Sequence, residues 1–190
     1  MLELAGIPFE TMLSVVDEEA PPSDPTEHVL NLSRRKAEDV ARRLNRGIVL
    51  GADTIVVVDG EILGKPRNPQ EARRMLRLLA GRTHMVLTGL TLIDLSRQRS
   101  LSDSVVTVVR MRPLSRREID WYVSTGEPMD KAGSYGIQGK GSILIERIEG
   151  CFYNVVGLPL AKLAQMLQTM GYACWMKQHG PLRRETSSYV

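Results

Sequence analysis

The sequence predicts an α/β fold in which a mixed, twisted sheet is flanked by helices. Two helix starts, Asp24-Pro25 and Asn68-Pro69, combine a capping residue, a proline and an acid three residues after the cap. Runs rich in β-branched residues, which favour strands, follow each of these helices. The chain has 190 residues, enough for one domain with a sizeable core. We therefore expect one mixed domain without repeats or linkers.

Glycines mark the boundaries of the predicted elements. Gly47 and Gly81 are placed to end the two capped helices, near Asn45 and Ala80, because glycine readily adopts the left-handed conformation that closes a helix. Asp59-Gly60 is a hairpin signal. The expected elements, in chain order, are a helix end at 1–5, a strand at 9–16, a helix at 25–45, strands at 48–58 and 61–63, a helix at 69–80, strands at 84–95 and 101–112, a helix at 115–124, a strand at 142–148 and a helix at 159–170.

Composition and charge exclude several classes of function. Hydrophobic residues make up 43% and charged residues 25%, as in ordinary globular proteins. The net charge of +3 suits an anionic substrate but is too weak to indicate a nucleic-acid partner. No apolar run approaches the roughly 20 residues that cross a membrane. The two cysteines and three histidines lack metal-ligand spacing, so we expect no zinc site and a cytoplasmic location.

The most informative segment is residues 130–139, which combines two opposite charges, three glycines, an aromatic ring and an amide. Glycine allows the backbone to adopt conformations that other residues resist and to approach a ligand closely. Lys131 suits a phosphate, and the amide of Gln138 suits the edge of a base. The alternative is a surface turn with a chance ion pair.

Further candidates lie outside this segment. Asp53 follows a buried run, at the kind of carboxyl end where open α/β sheets bind ligands, and its carboxylate can hold a metal or accept a proton from water. Lys65, in a Gly-Lys-Pro break, and Lys36, in a basic helix, can meet phosphate as point charges. Asp17 and Glu18 could complete a magnesium or manganese site. Taken singly, each has an ordinary alternative as a turn aspartate, an exposed lysine or a solvated acid.

Together these residues predict a nucleoside triphosphate site that is built without a Walker loop. Lysines would meet the phosphates, acids a metal, and an amide the base. No Gly-x-x-x-x-Gly-Lys-Ser/Thr run occurs, which disfavours a P-loop enzyme.

Five blocks of the sequence carry a further signal: Gly51–Thr54, Gly64–Pro66, Leu79–His84, Glu127–Gly139 and Val155–Pro159. Together they resemble the Maf family of nucleotide pyrophosphatases, which are related in fold to the inosine triphosphate pyrophosphatases. The resemblance runs from Met1 to about Gly171 and implies a domain at 1–171, followed by a polar tail at 172–190 that we expect to be partly disordered.

The resemblance implies hydrolysis of nucleoside triphosphates between the α and β phosphates, with a divalent metal, Mg or Mn, as cofactor. Asp53 matches the family's proton-accepting aspartate and is expected to hold part of the metal, and Glu18, with Asp17, aligns loosely with acids near the metal. Members often form dimers, so a homodimer is one expected state. The expected substrate-binding residues are Lys36, Lys65 and Lys131 for the triphosphate and Thr54 and Gln138 for the base.

The loop sequence Tyr-Gly-Ile-Gln-Gly, residues 135–139, resembles the subgroup that acts on dTTP, UTP and modified pyrimidines. A sister subgroup, which acts on 7-methyl-GTP, carries a different sequence here. The amide of Gln138 offers a donor and an acceptor that match the O4 and N3–H edge of uracil or thymine. Because an amide can flip, cytosine stays open.

The chain departs from the family pattern at its start. Members begin with a strand and a Ser-x-Ser-Pro-Arg-Arg loop, and this sequence has neither. We expect the first strand of the sheet to be missing, a strand edge to be unpaired and triphosphate binding to be weaker. A misassigned start is our preferred explanation. The alternative function is a non-catalytic nucleotide-binding regulatory protein, inactivated by loss of this loop. An RNA-binding module is disfavoured because aromatic residues are only 5%.

Overall fold

The computed structural model describes residues 1–17 and 24–172. A five-stranded sheet with strand order β2-β1-β3-β4-β5 carries helices on both faces. The strands are β1 (Ile48–Val58), β2 (Glu61–Leu63), β3 (Thr83–Asp94), β4 (Arg99–Met111) and β5 (Ile145–Glu149). The helices are α1 (Pro25–Ala41), α2 (Pro69–Leu79), α3 (Arg116–Ser124), α4 (Phe152–Val156) and α5 (Leu160–Thr169), with 3-10 turns at Glu127–Asp130, Ala132–Ser134 and Gly139–Leu144.

The α/β class and the flanking helices are confirmed, but the expected mixed sheet is wrong for the described residues. All four neighbouring strand pairs are antiparallel. For two of these pairs, β1 with β2 and β3 with β4, the reason lies in the connections. The Asp59-Gly60 turn joins β1 directly to β2, and a short turn closed by Asp94, whose Oδ1 accepts hydrogen bonds from the next amides, joins β3 to β4. Such hairpins force antiparallel pairing. The relation to the inosine triphosphate pyrophosphatase fold and the missing first strand stay predictions.

Local capping chemistry explains where three of the predicted helices begin. Asp24 accepts hydrogen bonds from the amides of the first turn of α1, and Asn68 accepts one from Glu71 at the start of α2. Ser115 and Glu118 form a reciprocal capping box at α3. These starts are confirmed, although α1 ends at Ala41, before the predicted Asn45.

Two strand predictions are wrong in detail. Residues 9–16 form no strand, and the segment contacts α1 and the residues just after it, where Val15 N donates to Asp39 and Arg43 donates to the carbonyl of Leu13. This segment pairs with no strand among the described residues, so it cannot form a ladder. Residues 142–144 belong to a 3-10 turn, and β5 begins only at Ile145.

Glycines allow α1 to lie unusually close to the sheet. A Cβ at Gly51 would stand 2.2 Å from the carbonyl oxygen of Ser33, and one at Gly89 would stand 2.3 Å from that of Val29. Neither glycine has a positive φ, so space is the reason for glycine here. The close approach fixes the helix over β1 and β3 and thereby positions the side chains of α1 beside those of β1.

The opposite face of the sheet holds the larger core, with α2 and α3 packed against one half and α5 against the other. Within the residues that the structure describes, no helix is both long enough and apolar enough to cross a membrane. Of the predicted tail at 172–190, residues 173–190 lie outside the described part of the chain.

Candidate active site

A cavity of about 760 Å³ lies along the edge of β1 that faces away from β3. Between Ile48 and Ile55, β1 pairs only with β3 among the described residues, because β2 covers just the last three residues of the strand. Adjacent residues Asp53 and Thr54 point to opposite faces of the sheet. Both line the cavity, which therefore receives side chains from the two faces.

The residues proposed from sequence converge on this one cavity. Glu18 lies outside the described residues, and its neighbour Asp17 lines the cavity wall. The predicted residues that line the cavity are Lys36, Asp53, Thr54, Lys65, Lys131 and Gln138.

Asp53 and Lys36 form an ion pair across the interface between α1 and β1. Lys36 Nζ donates to Asp53 Oδ1 at 2.7 Å, and the side chains are 19% and 8% exposed. Because Gly51 has no side chain, α1 packs close to β1, and Lys36 can therefore reach Asp53. The expected position of Asp53 at the carboxyl end of a buried strand is wrong, because it lies in the middle of the eleven-residue β1. It reaches the cavity because β1 is uncovered along this edge.

The two loops that carry Lys65 and Lys131 are joined by a backbone hydrogen bond. Gly133 N donates to the carbonyl of Gly64 at 3.0 Å. Lys131 Nζ lies 2.9 Å from Asp130 Oδ1. The hydrogen bond from Lys131, helped by the nearby charge of Lys65, holds the pKa of Asp130 below its usual value against the opposing effect of burial. The two lysines are therefore neighbours of the same carboxylate.

The glycine-rich segment adopts backbone conformations that favour glycine, as predicted. The φ angle is +66° at Gly133 and +64° at Gly139. Two of the glycines also lie against the protein's own side chains: a Cβ at Gly136 would stand 2.9 Å from the side-chain carbons of Lys131, and one at Gly133 would stand 2.8 Å from Val56. The close approach of a ligand to this backbone stays a prediction.

A buried network of polar groups connects residues 155–157, which line the cavity, to the sheet. Thr54 Oγ1 lies 2.9 Å from Thr88 Oγ1 and 3.5 Å from the carbonyl of Gly157. Thr88 Oγ1 donates to the backbone carbonyl of Asn154. The side-chain amide of Asn154 donates to Val86 O and Thr107 Oγ1. Thr54 thus lines the cavity with a hydroxyl that is already oriented by its neighbours.

Sequence reasoning missed several cavity residues. His28 and Leu32 precede Lys36 at four-residue intervals and line the cavity from the same helix face, a spacing that could have found them. Tyr135 is buried, and its Oη lies 2.7 Å from His84 Nε2. Burial lowers the pKa of His84 to about 4. Both residues lie in blocks that resemble the Maf family, but nothing in the sequence indicates that their side chains bond to each other.

The cavity offers carboxylates for a metal but no complete set of ligands. Among the described residues, no three histidine, cysteine or acidic side chains group in a way that could hold an ion. Magnesium is commonly bound through one or two carboxylates together with substrate phosphates. Asp53, with Asp17 in the same wall, fits that arrangement.

Comparison with known proteins agrees with this geometry. Residues 1–170 match the family described as Maf, Maf-like protein. Three relatives named dTTP/UTP pyrophosphatase are similar over most of both chains. The protein of Symbiobacterium thermophilum is 54% identical, with 90% of this chain and 88% of the relative covered. That of Carboxydothermus hydrogenoformans is 49% identical, with 86% and 88% covered, and that of Dictyoglomus thermophilum is 45% identical, with 91% of each covered.

The family match covers residues 1–170, which include all the residues that line the cavity. The identity and the coverage are far above what shared fold alone requires. The chain therefore belongs to the Maf family.

Proposed function

We propose that this chain is an enzyme that hydrolyses dTTP, UTP and modified pyrimidine nucleoside triphosphates to the monophosphate and pyrophosphate. The observation that carries the proposal is the convergence of Asp53 and three lysines on one cavity. Relatives 45–54% identical that are named dTTP/UTP pyrophosphatase support the same reaction and substrate.

The lysines are suited to a triphosphate. Lys36, Lys65 and Lys131 place three ammonium groups around a cavity whose acids include Asp53 and Asp130. An ammonium group binds phosphate as a compact point charge. Negative charge moves onto the leaving pyrophosphate as the bond between the α and β phosphates breaks, and fixed ammonium groups stabilise that charge.

Asp53 is the proposed general base. Its carboxylate would accept a proton from the water that attacks the α phosphorus, while pyrophosphate leaves with its electron pair. When bound, a divalent metal, Mg or Mn, held partly by Asp53, supplies charge neutralisation at the phosphates. Lys36, 2.7 Å from Asp53 and in the cavity lining, would orient the carboxylate and donate to a phosphate oxygen.

Gln138 and Thr54 are the proposed base-reading residues. The Gln138 amide can donate to O4 and accept from N3–H of uracil or thymine. Thr54 offers a hydroxyl held by Thr88 at 2.9 Å, so its direction is fixed by the fold.

The alternative of a nucleotide-binding regulator without turnover is less well supported, because the three relatives described above all carry the name of an enzyme. The two functions differ in product. Calorimetry with dTTP measures binding in both cases, and only the enzyme releases pyrophosphate.

A pyrophosphate-release assay with dTTP, UTP, dCTP, ATP and GTP tests the proposal. We expect release of pyrophosphate, not orthophosphate, with the highest kcat/KM for dTTP and UTP. Chelation of divalent cations should abolish the release, and added Mg or Mn should restore it. Tight binding of dTTP without release of pyrophosphate under any of these conditions would favour the regulator.

A further inference from the structure

Glu127 stands outside the cavity lining but is bonded to the segment that carries Gln138. Its Oε1 accepts hydrogen bonds from Tyr122 Oη and Gly141 N, both at 2.9 Å, and its Oε2 accepts one from Lys140 N at 3.0 Å. Burial alone would raise the pKa of Glu127, but these hydrogen bonds outweigh it and hold the pKa below its usual value. Glu127 is therefore an ionised acceptor with three donors.

Tyr122 connects the same carboxylate to the other end of the segment. Its side chain is fully buried, and its Oη donates to Glu127 while accepting a hydrogen bond from Gly136 N at 3.1 Å. The residue 136–141 segment is thus held at its first residue by Tyr122 and at its last two by Glu127. We call Tyr122 and Glu127 the loop clamp.

Two glycines of the segment, Gly139 and Gly141, pack closely against the loop clamp. A Cβ at Gly141 would stand 2.3 Å from the carbonyl oxygen of Gly136 and 2.5 Å from Tyr122 Oη. One at Gly139, where φ is +64°, would stand 2.9 Å from Glu127 Oε2. The backbone path between these residues is fixed by contacts with the clamp.

The Gln138 side chain, by contrast, is not held by its neighbours. It lines the cavity and makes no hydrogen bond to another described residue. The place of its amide in the cavity is therefore set by the backbone on either side, which the loop clamp controls.

From this arrangement we infer that Glu127, acting with Tyr122, is a positioning residue that determines which pyrimidine the enzyme accepts by fixing the backbone around Gln138. The inference rests on the proposed function, since it concerns how the same site chooses its base. Neither clamp residue lines the cavity, so their effect on the substrate must pass through the segment.

The isosteric change Glu127→Gln tests this inference sharply. All three partners of the carboxylate are donors, and a carboxylate only accepts, whereas an amide presents two N–H groups of its own. One of those groups must face a donor, so the segment has to shift. Tyr122→Phe removes the bond to Gly136 with little change of volume and provides a second variant. Glu61→Gln, which alters an exposed carboxylate paired with Arg74, is the matched control.

The measured quantity is the ratio of kcat/KM for dTTP to that for dCTP, which does not depend on the fraction of folded enzyme. We expect both clamp variants to lower this ratio about tenfold, a discrimination of roughly 1.4 kcal/mol, and Glu61→Gln to leave it unchanged. Gln138→Ala should lower the ratio, and Glu127→Gln added to it should lower it no further.

The outcomes separate the two proposals. Wild-type protein that releases no pyrophosphate from any triphosphate would refute the proposed function. An active wild type whose clamp variants lose stability or total activity but keep the wild-type ratio would refute the inference, because that result is what a purely structural role predicts.

Discussion

The ammonium group of Lys36 lies 2.7 Å from the carboxylate of Asp53, although the residues are 17 positions apart and come from different elements. Both side chains are largely removed from water. In such surroundings each charge depends on the other for solvation, and removal of one leaves the other poorly compensated. A triphosphate entering the cavity would compete with Asp53 for the same ammonium group, which couples substrate binding to the state of the proposed base.

This contact predicts non-additive effects on stability. Lys36→Met and Asp53→Asn should each lower the free energy of unfolding, and the double variant should lose less than the sum of the two, with a coupling of about 0.5–3 kcal/mol. Urea denaturation of the four proteins measures the coupling. Additivity to within about 0.3–0.5 kcal/mol would show that the pair contributes nothing specific.

Asp53→Asn should retain nucleotide binding but lose roughly 10²–10⁴ in turnover, the usual contribution of a positioned base. Calorimetry with dTTP and a pyrophosphate-release assay measure the two properties separately. Asp59→Asn is the matched control, because Asp59 lies in the turn after the same strand, pairs with Arg82 and does not line the cavity. Unchanged turnover in Asp53→Asn would remove it from the role of base.

Lys65→Gln and Lys131→Gln should mainly weaken substrate binding. A hydrogen bond to a charged group is worth about 1.5–3 kcal/mol, so each change should reduce kcat/KM for dTTP by roughly 10–100-fold. Lys162→Gln removes a lysine that pairs with Asp103 outside the cavity, and it should leave kcat/KM within twofold, or about 0.4 kcal/mol, of wild type. Equal effects of all three changes would indicate a general loss of charge and not a phosphate site.

The sequence predicts the helix starts and the hairpin well because their signals are local. The side chains of Asp24, Asn68 and Ser115 bond to amides two or three residues away, so the pattern and the structure express the same contact. The direction in which strands pair is harder to predict from the sequence. No local signal fixes how β1 pairs with β3, which lies beyond a helix in the sequence, and the strand that was expected to end at Asp53 continues through it to Val58.

The residues of the candidate site could be predicted where the family resemblance supplied them. They were harder to predict where tertiary contacts determine a residue's role. Lys36, Lys65 and Lys131 do share a cavity with Asp53. The role proposed for Glu127 depends on hydrogen bonds from the amides of residues 13 and 14 positions away. The composition of a sequence does not indicate such contacts.

Gly51→Ala should destabilise the protein, because the added Cβ would lie 2.2 Å from the Ser33 carbonyl oxygen and 2.9 Å from the Ala37 Cβ. Overpacking of this kind costs about 1–3 kcal/mol and should push α1, with Lys36, away from β1. Thermal and urea denaturation measure the loss. Gly64→Ala is the control, since its Cβ meets nothing within 4 Å, and a surface change of that kind stays within about 0.5 kcal/mol. Equal stability of the two variants would contradict the close approach.

His84 should make stability depend on pH. Burial lowers its pKa from 6.5 to about 4 in the folded protein, so the unfolded chain binds the proton first as the pH falls. Its contribution is therefore fully present above pH 6.5 and is lost as the pH decreases toward 4. The loss reaches about 3 kcal/mol at 1.36 kcal/mol per pKa unit. Urea titrations across this range measure the slope for wild type and for His84→Gln, in which the slope should be smaller.

A second variant separates burial from hydrogen bonding as the cause. Tyr135→Phe removes the partner of His84 Nε2, 2.7 Å away, but leaves the imidazole covered. Burial is the main reason for the low pKa of His84. The slope between pH 6.5 and 4 should therefore persist in Tyr135→Phe and become smaller only in His84→Gln. If the free energies of unfolding of wild type and His84→Gln fell equally between pH 6.5 and 4, protonation of His84 would not be a cause of the pH dependence.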